Sequence, residues 1–164
     1  MNITIRPIEQ PDNQFIAKII RNALEEFKAN KPGTVYFDAE TDNLYHTFKA
    51  QHSAYFIAEQ DGILLGGAGI YPTKNLPEKT CELVKLYLSP AARGKGIGKL
   101  LMNECFKKAL RLGYNKIYLE TMPELNIAVP LYEKMGFTYL IAPQGNSGHS
   151  GCSIWMIKEL ADLY

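Results

Sequence analysis

Residues 80–113 contain a strand pattern, a basic loop rich in glycine and a long amphipathic helix in immediate succession. The strand, TCELVKLYLSP, is expected to end at Pro90, and apolar residues at spacings of three and four predict the helix over residues 97–112. The loop lies at the helix N-terminus, where backbone N–H groups have no partner within the helix. Because glycine lets a bulky anion approach those groups, the segment predicts a phosphate-binding turn.

The loop sequence, ARGKGIGK, does not match two familiar phosphate-binding motifs. A Walker A motif would need glycine in place of Arg93 and serine or threonine in place of Leu100. A dinucleotide-binding motif would need glycine in place of Lys99. The pattern that fits is RxxGxG, formed by Arg93, Gly96 and Gly98.

The rest of the chain predicts one domain over residues 1–164, since no repeat or linker divides it. A short strand precedes an amphipathic helix over residues 9–29 and a shorter helix over residues 41–51. Residues 54–71 predict a hairpin that turns at Asp61-Gly62. After the long helix come the strand KIYLET, a helical segment over residues 124–135, and two strands joined by a loop rich in glycine and serine. This order predicts an α/β (α+β) fold, with helices on both faces of one mixed, mostly antiparallel sheet of six to seven strands.

Composition limits the partners that we expect. The chain has 18 basic and 17 acidic residues and a formal net charge of +1, so no overall field attracts nucleic acid or an anionic membrane. No stretch approaches the about 18 apolar residues of a membrane span, and the N-terminal segment does not resemble a signal peptide. Cys81, Cys105 and Cys152 form no CxxC pair, which favours free thiols in a reducing compartment over a metal site. We therefore expect a cytoplasmic protein without a metal.

These segments, in this order, resemble the GNAT superfamily of acyl-CoA N-acyltransferases, and the resemblance covers nearly the whole chain. RxxGxG is that family's coenzyme A pyrophosphate loop, and NKIYLETMPELNIAVPLYEKMGF resembles its fifth strand and fourth helix. The resemblance implies a single GNAT domain that uses acetyl-CoA as co-substrate, and many relatives are homodimers. It also implies that the diphosphate contacts Arg93, Gly94, Lys95, Gly96, Ile97, Gly98 and Lys99.

The resemblance further implies the catalytic groups. Glu82 is the expected general base, and the alternative interpretation is a solvated carboxylate on the strand. Glu120 on the neighbouring strand is the competing candidate for the base. Tyr132 is the expected general acid, or an ordinary aromatic residue packing on the sheet. Asn126 is expected to contact the cofactor, to cap the last helix, or both. Pro130 departs from the family pattern inside that helix.

The family match also implies how the strand before the loop meets the cofactor. The Leu86 N–H would stabilise negative charge on the thioester carbonyl, while Tyr87 and Leu88 would pair with the pantetheine arm like an added strand. This arrangement requires that the strand separates from its neighbour, commonly at a β-bulge.

Two loop segments are expected to form the acceptor pocket. The family match points to the segments PGTVYFD and NSGHSGC, which make Tyr36, Phe37, His149 and Glu120 candidates for the acceptor pocket. Without an acidic groove or a basic track, we expect a small amine or an amino acid, acetylated directly because the motif places no cysteine for an acyl-enzyme. Two alternatives stay open: a non-catalytic acyl-CoA sensor, and an acetyltransferase of a protein or peptide amine.

Overall fold

The computed structural model describes residues 2–161 and contains one seven-stranded mixed sheet in the order β1-β2-β3-β4-β5-β7-β6. All neighbouring strands are antiparallel except β4 and β5, which are parallel. The predicted mixed, mostly antiparallel sheet is therefore confirmed. The strands are β1 (Thr4–Pro7), β2 (Ala54–Gln60), β3 (Ile63–Tyr71), β4 (Thr80–Leu88), β5 (Lys116–Thr121), β6 (Thr138–Leu140) and β7 (Ile154–Glu159).

Helices cover both faces of this sheet, as the sequence predicted. Successive side chains of β2 point to opposite faces of the sheet. Tyr55 and Ile57 lie in the core cluster on the α1 face, and Phe56 and Ala58 lie in the core cluster on the α3 face. Within residues 2–161, none of the helices combines the length and apolar character that a bilayer crossing requires. The helices are α1 (Asn13–Glu26), α2 (Leu44–Thr47), α3 (Ile97–Arg111) and α4 (Ala128–Lys134).

The first two helices are shorter than their hydrophobic patterns predicted. A 3₁₀ turn, Gln10–Asp12, precedes α1, and Lys28 at φ 56° turns the chain away just after it. The prediction of a helix over residues 41–51 was wrong in extent, since a 3₁₀ segment (Ala39–Asp42) precedes a single turn of α2. Asn43 separates them at φ −143° and ψ 53°, which is not a helical conformation. This irregular region forms one wall of the site described below.

The last predicted helix begins later than expected. Because α4 starts at Ala128, Pro130 is its third residue. The first four N–H groups of a helix have no acceptor within it, so the proline removes no helical hydrogen bond and does not kink α4. The departure from the family pattern therefore does not disturb Tyr132, which follows in the same helix.

Candidate active site

Strands β4 and β5 separate in the middle of the sheet. Their parallel pairing covers only Thr80–Glu82 of β4, opposite Lys116–Tyr118 of β5. From there β4 continues to Leu88 without a register partner on the β5 side. The backbone of this part of β4 is thus available to an extended ligand that adds to the sheet like a strand.

A β-bulge in β4 accompanies the separation. Val84 pairs with Gly69 and Tyr87 with Gly67, so three steps along β4 oppose two along β3. Lys85 within the bulge has φ 52°, a left-handed conformation that is uncommon for a residue with a side chain. Neither Lys85 nor Leu86 has a register partner in β3 or β5. The bulge therefore frees the backbone at the position where the Leu86 N–H was expected to act.

A first cleft occupies the gap between β4 and β5. It runs from Arg93 and Gly98 at the glycine-rich loop to Glu82, Glu120 and His149 at its other end. Most of the side chains between these ends are apolar. A narrow, mainly apolar channel with an anion-binding turn at one end suits a pantetheine arm that carries a diphosphate. Residues that line the middle of the first cleft include Leu86, Tyr87, Leu88, Thr121, Leu131 and Tyr132.

The three glycines of the loop have different roles in the structure. Gly94 and Gly96 have φ 74° and 78°, and a Cβ atom on either would meet no atom within 4 Å. Open space therefore lies over these two residues, and Gly96 is the N-cap of α3. Gly98, in contrast, is buried, and a Cβ there would lie 3.1 Å from Leu131 Cδ2. The structure therefore offers Gly94 and Gly96 for close approach of an anion, whereas Gly98 lets α3 and α4 pack together.

Arg93 is not free in this structure. Its Nη1 donates to Glu26 Oε2 at 2.6 Å, its Nη2 donates to the Leu88 carbonyl oxygen at 3.1 Å, and its guanidinium lies 4.8 Å from the Phe27 ring centroid. Lys95 and Lys99 are exposed beside the loop. The positive charge next to the open glycines therefore comes from Lys95, Lys99 and the N-terminus of α3. Ile97 is buried in the core rather than facing the loop opening.

Glu82 is 3% exposed and lies where the two strands begin to separate. The Thr73 hydroxyl donates to its Oε1 at 2.6 Å. Burial raises the pKa of the Glu82 carboxyl to about 7, and the nearby Glu120 raises it further against the opposing effects of Thr73, His149 and Lys85. A carboxyl group with a pKa near neutrality is suited to accept a proton and to release it again.

Two hydroxyl groups donate hydrogen bonds to Glu120. The Tyr118 hydroxyl donates to Oε2 at 2.6 Å, and the Ser147 hydroxyl donates to Oε1. Both of its oxygens are therefore engaged by hydroxyl groups, whereas only Oε1 of Glu82 accepts a side-chain hydrogen bond. One donor atom each from Glu82, Glu120 and His149 lie within 4.8 Å of one another, so the three could hold a cation such as an ammonium group.

His149 and Lys85 meet at a residue that the sequence interpretation missed. The His149 Nε2 lies 2.8 Å from Asp38 Oδ2, and Lys85 Nζ lies 3.1 Å from the same oxygen. Burial of the imidazole disfavours its charged form, but the hydrogen bond and charge of Asp38 outweigh this effect and raise the pKa of His149 above its usual range. No local sequence signal predicted Asp38, because it lies in a loop 111 residues from His149.

A second cleft approaches Glu82 from another side. It is lined in part by Phe48, Tyr71, Lys74 and Asn146, and it shares four residues with the first cleft. A molecule in the second cleft can therefore reach the inner end of the first. The shared residues are Glu82, Val84, Lys85 and His149.

Tyr36 and Phe37 lie outside the lining of both clefts. The Tyr36 hydroxyl donates to Glu25 Oε1 at 2.6 Å, and the Phe37 side chain is 61% exposed. Their neighbours approach the clefts instead, with Val35 in the first and Glu40 in the second. The segment PGTVYFD thus reaches the first cleft through Val35 rather than through the two aromatics.

Tyr132 lies in the first cleft and is buried, and burial raises the pKa of its phenol. Its ring packs edge-on against Phe137, with centroids 5.9 Å apart, and its hydroxyl makes no hydrogen bond to another residue within 2–161. Both interpretations of this residue are therefore compatible with its position.

Asn126 and Cys152 lie near or in the first cleft but differ in exposure. Asn126 is exposed in the turn before α4, and its predicted capping role is wrong because Ile127 occupies the N-cap position without a side-chain cap. Cys152 lines the first cleft and is half-buried, whereas Cys81 and Cys105 are fully buried. Burial, with a smaller effect of neighbouring carboxylates, raises the pKa of the Cys152 thiol to about 12, so it is a poor nucleophile.

Comparison with known proteins identifies the family. The sequence profile of the acetyltransferase (GNAT) family matches residues 17–137. The uncharacterized N-acetyltransferase YjgM of Escherichia coli (strain K12) is 37% identical over 158 residues, which cover 95% of this chain and 94% of YjgM.

Solved structures agree in fold. A GNAT-family acetyltransferase from Staphylococcus aureus Mu50 has a TM-score of 0.86 at 17% identity, covering 98% of this chain and 100% of its own. The acetyltransferase yncA from Salmonella typhimurium, solved with its cofactor acetyl-CoA, has a TM-score of 0.75 at 20% identity, covering 100% and 97%. The chain thus belongs to the acetyltransferase (GNAT) family, as its sequence predicted, and is an N-acetyltransferase of that family.

Proposed function

We propose that the protein transfers an acetyl group from acetyl-CoA to the primary amine of a small molecule or amino acid, by direct transfer in a ternary complex. The observation that carries this proposal is the meeting of two clefts at Glu82: a channel from the glycine-rich loop and a separate approach from the second cleft. The presence of acetyl-CoA in the Salmonella yncA structure supports the identity of the co-substrate.

The chain has residues suited to hold each part of coenzyme A. The open space over Gly94 and Gly96 accepts the diphosphate, with Lys95 and Lys99 adding charge. The unpaired edge of β4 from Leu86 to Leu88 binds the pantetheine arm by backbone hydrogen bonds. When bound, acetyl-CoA supplies an acetyl thioester at the inner end of the first cleft.

Glu82 acts as the general base. At pH 7 a lysine-like ammonium group is mostly protonated, and removal of its proton costs roughly 4–5 kcal/mol for a pKa of ~10.4. A carboxylate with a pKa of about 7 accepts that proton and leaves the amine free to attack the thioester carbonyl. Glu120, fixed by its two hydroxyl donors, helps to hold the ammonium group before the transfer.

Leu86 and Tyr132 stabilise the groups that change charge during the transfer. The Leu86 N–H, released from the sheet by the bulge, donates to the carbonyl oxygen as it becomes negative. The Tyr132 hydroxyl, kept protonated by its burial, donates its proton to the sulfur as the C–S bond breaks. The second proton of the attacking nitrogen then restores the tyrosine hydroxyl.

A screen of amines for release of free coenzyme A tests the proposal. We expect turnover with at least one small amine or amino acid, and a strong loss of that turnover in Glu82→Gln. Glu78→Gln is a matched control, because Glu78 is an exposed glutamate just before β4. Binding of acetyl-CoA without turnover on any amine or peptide would favour an acyl-CoA sensor instead.

A further inference from the structure

We propose that His149 carries the proton from Glu82 to solvent, and that Asp38 is the residue that positions His149 for this transfer. The proposal rests on the assignment of Glu82 as base in the proposed function. It adds a catalytic step and a positioning residue that neither the motif nor the family comparison supplies.

The burial of Glu82 creates the need for such a step. With 3% of its surface exposed, its carboxyl group has little direct contact with bulk water. A ring nitrogen of His149 lies within 4.8 Å of a Glu82 carboxylate oxygen, a gap that one water molecule can bridge. His149 is half-buried and lines the second cleft as well as the first. It therefore connects the buried base with the more open side of the site.

Asp38 holds the imidazole through its Nε2 atom. Its Oδ2 is shared between His149 Nε2 at 2.8 Å and the buried Lys85 Nζ at 3.1 Å. Glu40 lies 3.5 Å from the same Lys85 Nζ. The His149 backbone N–H donates to the Ser147 hydroxyl at 3.1 Å, so the main chain at this position is held too. These contacts join the loop before α2, the β4 bulge and the loop before β7 at one histidine.

The charged groups around His149 bear on its ability to accept the proton. The pKa of Glu82 is about 7, and that of His149 lies above its usual range because Asp38 favours the imidazolium. The groups that face His149 are Asp38 from the loop, Glu82 and Lys85 from β4, and Glu120 from β5, while Glu40 pairs with Lys85. Because Asp38 favours the imidazolium, it favours acceptance of the proton by His149.

The proton balance is simple. The ammonium group of the acceptor loses one proton to the Glu82 carboxylate. The resulting carboxylic acid passes that proton to neutral His149, directly or through one water, and the imidazolium releases it to solvent. No electrons are transferred, and both side chains return to their starting states.

An NMR titration of the histidine ring protons of the free enzyme tests the coupling without any acceptor. The His149 signal is assigned by its loss in His149→Gln. In Asp38→Asn, we expect its titration midpoint to fall below the wild-type value, because the partner that favours the imidazolium is gone. Asp42→Asn is the matched control, since Asp42 lies in the same loop but pairs with Arg21, and it should leave the midpoint unchanged. An unchanged midpoint in Asp38→Asn would overturn the positioning role.

Chemical rescue tests the transfer itself. His149→Ala should lower kcat by about tenfold or more while acetyl-CoA still raises the melting temperature, and added imidazole should restore turnover in proportion to its concentration. Glu82→Gln should lose turnover without any rescue by imidazole. If His149→Ala retains full kcat, or if imidazole does not restore it, the relay is wrong even though Glu82 remains the base. If Glu82→Gln retains full kcat, the proposed function fails at the base, and the relay fails with it.

Discussion

Glu82 occupies a site that disfavours its charge in the folded state. Burial raises its pKa from 4.5 to about 7, and Glu120 contributes in the same direction. Because the folded state binds this proton more tightly than the unfolded state, the stabilisation is complete below pH 4.5 and is lost as the pH rises through about 7. The carboxylate therefore lowers stability under the conditions in which it can act as a base.

Glu82→Gln removes this pH-dependent penalty. The amide keeps an oxygen for the Thr73 hydroxyl but cannot ionise. Between pH 4.5 and pH 8, the free energy of unfolding of the wild type should fall by about 3 kcal/mol relative to that of the variant. Urea unfolding at the two pH values measures the difference. Parallel pH profiles for the two proteins would mean that Glu82 ionises normally.

Tyr132→Phe separates the proton-donor role from packing. The ring contact with Phe137 remains in the variant, so we expect little change in melting temperature. Loss of the hydroxyl should lower kcat by about 10²-fold, with the dissociation constant of acetyl-CoA nearly unchanged. Tyr139→Phe provides the control, since Tyr139 is an exposed tyrosine of β6 whose hydroxyl donates to Glu133, away from the first cleft. A kcat equal to that of the wild type would assign Tyr132 to packing alone.

At the scale of the elements, the glycine-rich loop and the β4 bulge place the two ends of the cofactor site. Gly96→Ala should weaken binding of acetyl-CoA at least about tenfold, because a Cβ enters the open space at the N-terminus of α3. Because Gly96 has φ 78°, alanine there also strains the backbone. A second variant has to separate this strain from obstruction of the anion-binding turn.

Gly113→Ala supplies that separation. Gly113 follows α3 with φ 94° and also faces open space, but it lies at the opposite end of the helix. Each alanine in a left-handed conformation should cost about 1–2 kcal/mol of stability. Calorimetric titration with acetyl-CoA should then show weakened binding only for Gly96→Ala. If Gly96→Ala and Gly113→Ala bound acetyl-CoA with equal affinity, the diphosphate would not bind at the turn around Gly96.

The elements also differ in how far the sequence predicts them. Segments with local patterns, such as α3 and the hairpin at Asp61-Gly62, were predicted well because periodicity and turn residues are contained within each segment. The bulge was expected only from the family resemblance, since lysine at φ 52° has no sequence signature and pairing depends on another strand. Asp38 was missed for a related reason, because its partners His149 and Lys85 lie far away along the chain.

At the scale of the whole molecule, acetyl-CoA would fill the separation of β4 and β5 and connect the two halves of the sheet. At a hundredfold excess over its dissociation constant, it should raise the free energy of unfolding by ~2.7 kcal/mol. Hydrogen exchange should slow at the amides of residues 86–88, which lack partners on the β5 side. A stability gain with unchanged exchange at these amides would locate the cofactor elsewhere on the protein.

A crystal structure of the complex with coenzyme A is the most direct measurement of the arrangement. The diphosphate should contact the backbone N–H groups around Gly94 and Gly96, and the pantetheine arm should lie along β4 with its sulfur beside Tyr132 and the inner end of the first cleft. Coenzyme A bound outside this cleft, with the glycine-rich loop making no contact to phosphate, would contradict the account.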